Sequence, residues 1–106
     1  MQKMNYRPYG KTGYDVSTLG LGCMRLPRYI DENGNAQVDR EKAFELIRYA
    51  AEHGITYFDT AYGYHNTTSE EVLGEALEGK YRANVKIATK QPLNVMKTQG
   101  DIRRNL

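Results

Sequence analysis

The chain has 106 residues, and 15 Lys and Arg against 13 Asp and Glu leave a formal charge of only +2. That length fits one domain able to bury about two thirds of its unfolded surface, and 40% apolar with 26% charged residues excludes wholesale disorder. So small a charge does not imply nucleic acid, and the basic residues are scattered among acids rather than gathered in a patch; apolar runs of a few residues exclude a membrane span of about 20.

No apolar stretch follows Lys3, so the N-terminus does not read as a secretory signal. Cys23 is the single cysteine and has no internal disulfide partner. No Cys/His cluster has metal-site spacing. A cytoplasmic, reducing location is the expectation. Nine tyrosines and no tryptophan decide nothing by count alone.

In chain order, residues 4–18 read as a hairpin: Met4–Tyr9, a Gly10-Lys11-Thr12-Gly13 turn, and a return over Tyr14–Thr18. Leu19–Met24 is a brief apolar strand whose glycines allow close backbone approach. Arg25–Val38 reads as a loop, broken at Pro27 and turning at Asp31–Asn35. Asp39 is placed to cap a helix, with Val38 and Ala43 as a hydrophobic staple. Ala43, Leu46, Ile47, Ala50 and Ala51 share one helical face, and Gly54 ends it.

Ile55–Thr60 is strand-like, and Tyr62–Thr67 is a polar loop. Thr68-Ser69-Glu70-Glu71 reads as a capping box opening a second helix. Val72, Leu73, Ala76 and Leu77 form its buried face, and Gly79 stops it. Val85–Lys90 is a third strand, and Pro92 follows. Thr98 reads as the cap of a third helix, with Asp101 three positions on. The order is hairpin, then β-α-β-α-β with the start of another helix, so the strands are expected to be parallel with crossover helices. Parallel strands need cover on both faces, so the expectation is the opening portion of a larger α/β fold.

In such folds ligands meet the carboxyl ends of the strands. Asp59 and Lys90 close two strands whose spacing of about 4.8 Å allows an ion pair. Tyr64 lies five residues beyond Asp59 and can fold back over the same opening. A free phenol, with a pKa of about 10, is a poor acid at neutral pH; an adjacent ammonium stabilises the phenolate. The trio would then be a general acid able to protonate a carbonyl oxygen as hydride reaches the carbon. The hydride would have to come from a reduced nicotinamide. The bland readings are a turn-forming Asp, a solvated Lys and one tyrosine of nine, and spacing alone leaves both open.

His65 reads as a solvated loop histidine or a substrate contact. His53, near a helix C-terminus where a cation is favoured, reads as structural. Cys23 is either a reactive thiol at a strand end or a small packing residue. Gly20 and Gly22 do not form a dinucleotide fingerprint, because no helix follows closely. Lys86, mid-strand, is set aside as the catalytic lysine.

Asp59-Thr60-Ala61-Tyr62-Gly63-Tyr64 resembles the D-[TS]-A-x-x-Y signature of the aldo-keto reductases. Ser69–Leu77 resembles the S-E-x-x-[LV]-G-x-A-[LI] segment that follows it, Ala88-Thr89-Lys90 the [TS]-K strand end, and Leu19–Met24 the first barrel strand. The resemblance runs in order from about Tyr6 to Leu106. It implies a (β/α)8 TIM barrel plugged by the hairpin, with NADPH-dependent reduction of small carbonyl substrates. By motif it makes Tyr64 the proton donor and Asp59 and Lys90 its supporting pair. Gly22, Cys23 and Met24, with Asp59, would border the cofactor. Cys23–Pro27 further resembles a bacterial subgroup carrying an iron–sulfur cluster in a domain after the barrel, outside this chain.

A complete barrel needs roughly 250 residues, and the family's catalytic His comes after the next strand. Residues 1–106 are therefore expected to be an incomplete domain, inactive alone. The alternatives are a non-catalytic nicotinamide-binding or regulatory relative, and a half-barrel that self-associates through an exposed sheet edge.

Overall fold

The computed structural model describes residues 3–92. The helix expected from Thr98 lies outside them. β1 (Tyr6–Pro8) and β2 (Asp15–Ser17) form the expected antiparallel hairpin, with Tyr6 opposite Ser17. Its turn is closed by Tyr9 N–H donating to Tyr14 O at 3.0 Å.

β3 (Leu21–Gly22), β6 (Tyr57–Asp59) and β7 (Lys86–Ala88) form one sheet in that order, and both pairings are parallel. The register sets Gly22 beside Asp59 and Asp59 beside Ala88. All three strands therefore finish at one rim, and each is shorter than the apolar run that announced it.

Arg25–Val38 departs from the expected loop. It holds a second hairpin, β4 (Arg28–Ile30) with β5 (Ala36–Val38). The turn is built on Asp31, whose Oδ1 accepts from the N–H groups of Asn33 and Asn35, both at 2.9 Å. Asp39 N–H donates to Pro27 O at 2.8 Å and closes its base. These strands are too short and too exposed to show a period-two apolar pattern.

α1 (Arg40–Glu52) starts as expected: the Asp39 carboxylate accepts from Lys42 N–H at 3.2 Å. It buries Ala43, Ile47 and Ala50, while Leu46 stays exposed. His53 is its C-cap, donating its backbone N–H to Tyr49 O and stacking on the Tyr49 ring. α2 (Ser69–Ala76) lies against α1 and buries Val72, Leu73 and Ala76. Arg40 reaches across to Glu75 at 3.0 Å and Glu71 at 3.7 Å. Arg48 Nε donates to Ala76 O at 2.9 Å and satisfies a carbonyl of α2's last turn.

The expected capping box at Thr68 does not form. Thr68 has helical backbone angles, and its hydroxyl donates backward to His65 O at 2.7 Å. Glu71 faces Arg40 instead. Gly79, with φ +79°, opens a 3-10 segment over Gly79–Asn84 that leads into β7.

The core lies between the sheet and the two helices. Phe58, on the central strand, is fully buried with Ile47, Val72, Leu73 and Leu77. The first hairpin docks at the amino end of the sheet. Ser17 and Thr56 exchange bonds there: Ser17 N–H donates to Thr56 Oγ1 at 2.9 Å, and Thr56 N–H to Ser17 Oγ at 3.0 Å. Tyr9 packs against both Tyr14 and Tyr57, and Lys86 stands over Tyr14. Several tyrosines thus serve the plug, and Lys86 belongs to the end opposite the rim.

Gly54 is the tightest point of this junction. Its φ is +102°, and a Cβ there would stand 2.9 Å from both Met4 Cβ and Tyr6 Oη. Tyr6 Oη donates to Gly54 O at 2.8 Å. Gly54→Ala is expected to destabilise the protein by more than about 1 kcal/mol, adding strain at positive φ to a clash. A shift of the urea midpoint to lower concentration at unchanged m-value checks this.

Candidate active site

At the rim the parallel ladder runs on beyond the strands. Thr60 N–H donates to Ala88 O at 2.8 Å, and Tyr62 N–H to Lys90 O at 3.1 Å. This extension carries Lys90 alongside the Asp59–Thr60 segment. Lys90 Nζ donates to Asp59 Oδ1 at 2.9 Å, Asp59 Oδ2 at 3.0 Å and Thr60 O at 2.9 Å. The same ammonium stands 4.9 Å from the centroid of the Tyr64 ring. The structure thus brings Asp59, Tyr64 and Lys90 together.

The Asp59 carboxylate above all holds the Lys90 ammonium above the usual lysine value; desolvation opposes it, and the Tyr64 phenol adds a smaller effect in the same direction as Asp59. Lys90 therefore stays charged through neutral pH, and its contribution is lost only as pH rises past the ordinary lysine range. The side chains of Lys90 and Asp59 are 50% and 40% exposed. A pair that open to solvent adds about 0–1 kcal/mol to stability, so its effect is to fix a charge in place.

Tyr64 sits in a short loop between β6 and α2. Its N–H donates to Ala61 O, and its carbonyl accepts from Ser69 N–H, both at 3.2 Å. The next three residues, His65, Asn66 and Thr67, all have positive φ, at 51°, 53° and 72°. Left-handed backbone costs about 1–2 kcal/mol per non-glycine residue. His65 is neither a solvated loop residue nor free to bind substrate through Nε2: that atom accepts from Leu26 N–H at 2.8 Å. Burial first, and the Arg28 charge second, push its imidazole below the ordinary histidine value, while the Cys23 carbonyl acts the other way. The fold therefore prefers neutral His65. Stability from this group is complete above about pH 6.5, the ordinary value, and is lost as pH falls towards the lower folded one.

Beneath the rim runs a buried string of polar groups. Thr60 Oγ1 and Ser69 Oγ are 2.7 Å apart, and Ser69 Oγ lies 3.2 Å from Cys23 O, so one hydroxyl network joins β6, α2 and the end of β3. Cys23 N–H donates to Asp59 O at 2.8 Å. Thr89 Oγ1 donates to Glu70 Oε2 at 2.6 Å and ties the Lys90 segment to the first turn of α2. Thr60, Ser69 and Thr89 shape the site in roles the sequence reading did not assign, although each fills a Ser/Thr position of the sequence motifs. His65 has no motif position and only adjoins Tyr64.

Of the four residues expected to border a cofactor, Asp59 is clamped to Lys90, and the other three part company. Gly22 is exposed beside Asp59, and a Cβ built on it meets nothing within 4 Å. Met24 is 57% exposed. Cys23 is fully buried in the core, which settles the choice between reactive thiol and packing residue. Burial, with a smaller effect of Asp59, pushes its thiol up to about 11.

The described residues thus form a parallel sheet with helices packed on it and a clamped ammonium beside a phenol at its carboxyl rim. Residues 18–106 match the model of the Aldo/keto reductase family, and the chain belongs to that family. It is 38% identical over 81 residues to the probable aldo-keto reductase 1 of Glycine max, covering 76% of this chain and 22% of that protein. Its structure resembles the holo form of an aldo-keto reductase from Bacillus halodurans, with TM-score 0.65 and 35% identity over 81% of this chain and 25% of the other. A thermostable aldo-keto reductase in complex with the inhibitor epalrestat gives TM-score 0.74 at 28% identity, over 95% of this chain and 35% of that one. The chain spans about a quarter of the length of the curated relatives it matches. The fold class read from the sequence holds: hairpin, parallel strands and crossover helices correspond to the opening part of those barrels.

A buried, protonated thiol reacts slowly. Cys23 is expected to resist iodoacetamide at pH 8 in the folded protein and to be alkylated in urea. Equal labelling in both conditions, read by mass spectrometry, would contradict its burial.

Proposed function

We propose that this chain carries the proton-donating half of the active site of an NADPH-dependent oxidoreductase that reduces aldehydes or ketones to alcohols. One observation carries the reading: at the carboxyl rim, an ammonium clamped by a carboxylate lies over a phenol ring. Tyr64 is the general acid, and its hydroxyl proton passes to the carbonyl oxygen as the carbonyl carbon gains a hydride. Negative charge left on the phenol oxygen is met by Lys90, already charged and already oriented, so little reorganisation is needed. Asp59 and the Thr60 carbonyl hold Lys90 in that place.

The dinucleotide, when bound, supplies the hydride. The residues present fit its reacting end: Gly22 leaves open space at the rim, and exposed Met24 offers an apolar thioether two residues on. Cys23 takes part only by holding the backbone, because its side chain is buried. Preference for NADPH is supported by family membership. The finer placement in the subgroup with a C-terminal iron–sulfur domain is supported by Cys23–Pro27 alone, and no step uses such a cluster. A cytoplasmic setting belongs to the same proposal, supported by an unpaired Cys23; among the described residues, no helix is long and apolar enough to cross a membrane.

Because the matched stretch spans only about a quarter of the relatives' length, the reaction is assigned to a complete barrel containing these residues. In that protein, Tyr64→Phe is expected to lower kcat for a test aldehyde by about 10²–10⁴-fold, the usual range for general acid catalysis. NADPH affinity, read by fluorescence titration, is expected to stay unchanged. Near-normal turnover of Tyr64→Phe would remove Tyr64 from the reaction.

The 106-residue chain alone is expected to give no NADPH-dependent aldehyde reduction, and robust turnover would overturn the need for further strands. The same chain exposes Leu19, Leu46 and Tyr49 around one apolar hollow, which supports self-association. Elution above 12.1 kDa on size exclusion is then expected, and a clean monomer would count against it.

A further inference from the structure

Tyr64 is held by a loop whose own backbone is unfavourable. Left-handed angles at three successive residues, one of them the β-branched Thr67, do not persist unless neighbouring bonds enforce them. Within the loop, His65 O accepts from both Thr68 N–H and Thr68 Oγ1. Outward, the loop is tied on one side of Tyr64 by Tyr62 N–H to Lys90 O. On the other side it is tied by the imidazole of His65, which accepts from Leu26 N–H. Leu26 is a core residue, 2% exposed, at the foot of the β4–β5 hairpin. Tyr64 thus stands between two anchors, one on the segment leaving β7 that bears Lys90 and one on the segment leaving β3.

We propose that His65 is a positioning residue for Tyr64: its unprotonated Nε2, by accepting the Leu26 N–H, fixes the phenol over Lys90 and couples it to the hairpin that follows β3. The inference rests on Tyr64 being the proton donor. The bond requires the neutral tautomer with its proton on Nδ1, because a protonated imidazole has two donors and no acceptor. Protonation would set the Leu26 N–H against a ring N–H and release the anchor. The charged and polar groups bearing on this ring are Arg28, which disfavours protonation, and the Cys23 carbonyl, which favours it. The Cys23 thiol is uncharged at neutral pH, with a value of about 11.

The test uses the complete reductase, with kcat, NADPH affinity and the pH profile of kcat measured for three substitutions. His65→Ala removes the acceptor and is expected to lower kcat by about 10–100-fold, the effect of a misplacement near 1 Å, at unchanged NADPH affinity. His65→Asn suits positive φ better than histidine but is too short to reach Leu26, and is expected to be as impaired. His65→Gln places a carbonyl oxygen near the position of Nε2 and is expected to restore most of kcat. It should also abolish the acid limb that His65 gives the wild-type profile, since an amide does not titrate.

Equal activity of the Asn and Gln variants would assign the effect to backbone strain and overturn the proposal; so would a Gln variant as impaired as Ala. If His65→Ala does not fold, the Asn–Gln pair decides. Nitrogen NMR of the wild-type imidazole is expected to show the proton on Nδ1 at pH 7.5, and a proton on Nε2 would overturn the assignment without any variant. Tyr64→Phe separates the two readings. If it is inactive while His65→Ala turns over normally, only the positioning role fails. If it is active, the proton donor itself has been misassigned.

Discussion

Parallel pairing of β6 with β7, in the register that sets Asp59 beside Ala88, is the constraint on which the site depends. Two more residues bring the chain to Lys90, and two ladder bonds beyond the strands keep it in step with Thr60 and Tyr62. A shift of one residue would turn Lys90 to the other face of the sheet, away from Asp59. The ion pair is thus a consequence of register, and register is enforced by Phe58 on the central strand, buried on the side where α1 and α2 pack. Three hydrogen bonds then orient a flexible side chain that would otherwise sample many rotamers.

Beneath this pair, the structure replaces apolar packing with a hydroxyl network. Thr60 and Ser69 are 2% and 0% exposed and bond to each other. Burying hydroxyl groups is tolerable only when they are satisfied, and among the described residues no buried side-chain polar atom lacks a partner. The network joins β3, β6 and α2 directly under the rim. Losing the Ser69 hydroxyl would take from buried Thr60 Oγ1 the bond it makes there, while losing that of Thr60 would leave Ser69 still bonded to Cys23 O, so the network specifies geometry as well as filling space.

The parts of the fold written in local sequence were legible, and those written in tertiary contacts were not. Asp39 announced α1 because an N-cap acts over three residues. The β-α-β-α-β order was readable because helical spacing and short apolar strands recur over windows longer than the features themselves. The same logic misled at Thr68, where Thr-Ser-Glu-Glu spells a capping box; the left-handed run before it turns the hydroxyl backward to His65 O instead. The β4–β5 hairpin was hidden because its strands are three residues long and face solvent. At the site, strand-end position allowed Asp59 to pair with Lys90 near Tyr64, and the motif resemblance was needed to choose that reading over the bland one. His65 was opaque because its partner is a backbone N–H 39 residues away, and a backbone group carries no signature in sequence.

Stability and the proposed chemistry rest on different residues, and the physics of exposure explains why. The core of Ile47, Phe58, Val72, Leu73 and Leu77 is dry, so each member contributes through burial at roughly 1.5–3 kcal/mol. Asp59 and Lys90 are half exposed, and their attraction adds little to folding. That exposure is useful, since a charge sealed in the core could not face a ligand. The cost of the arrangement appears instead in the Tyr64 loop, as strained backbone at residues 65–67. Strain of that kind persists only where surrounding bonds over-determine it. The anchors at Lys90 O and Leu26 N–H are therefore part of the same design as the phenol they flank.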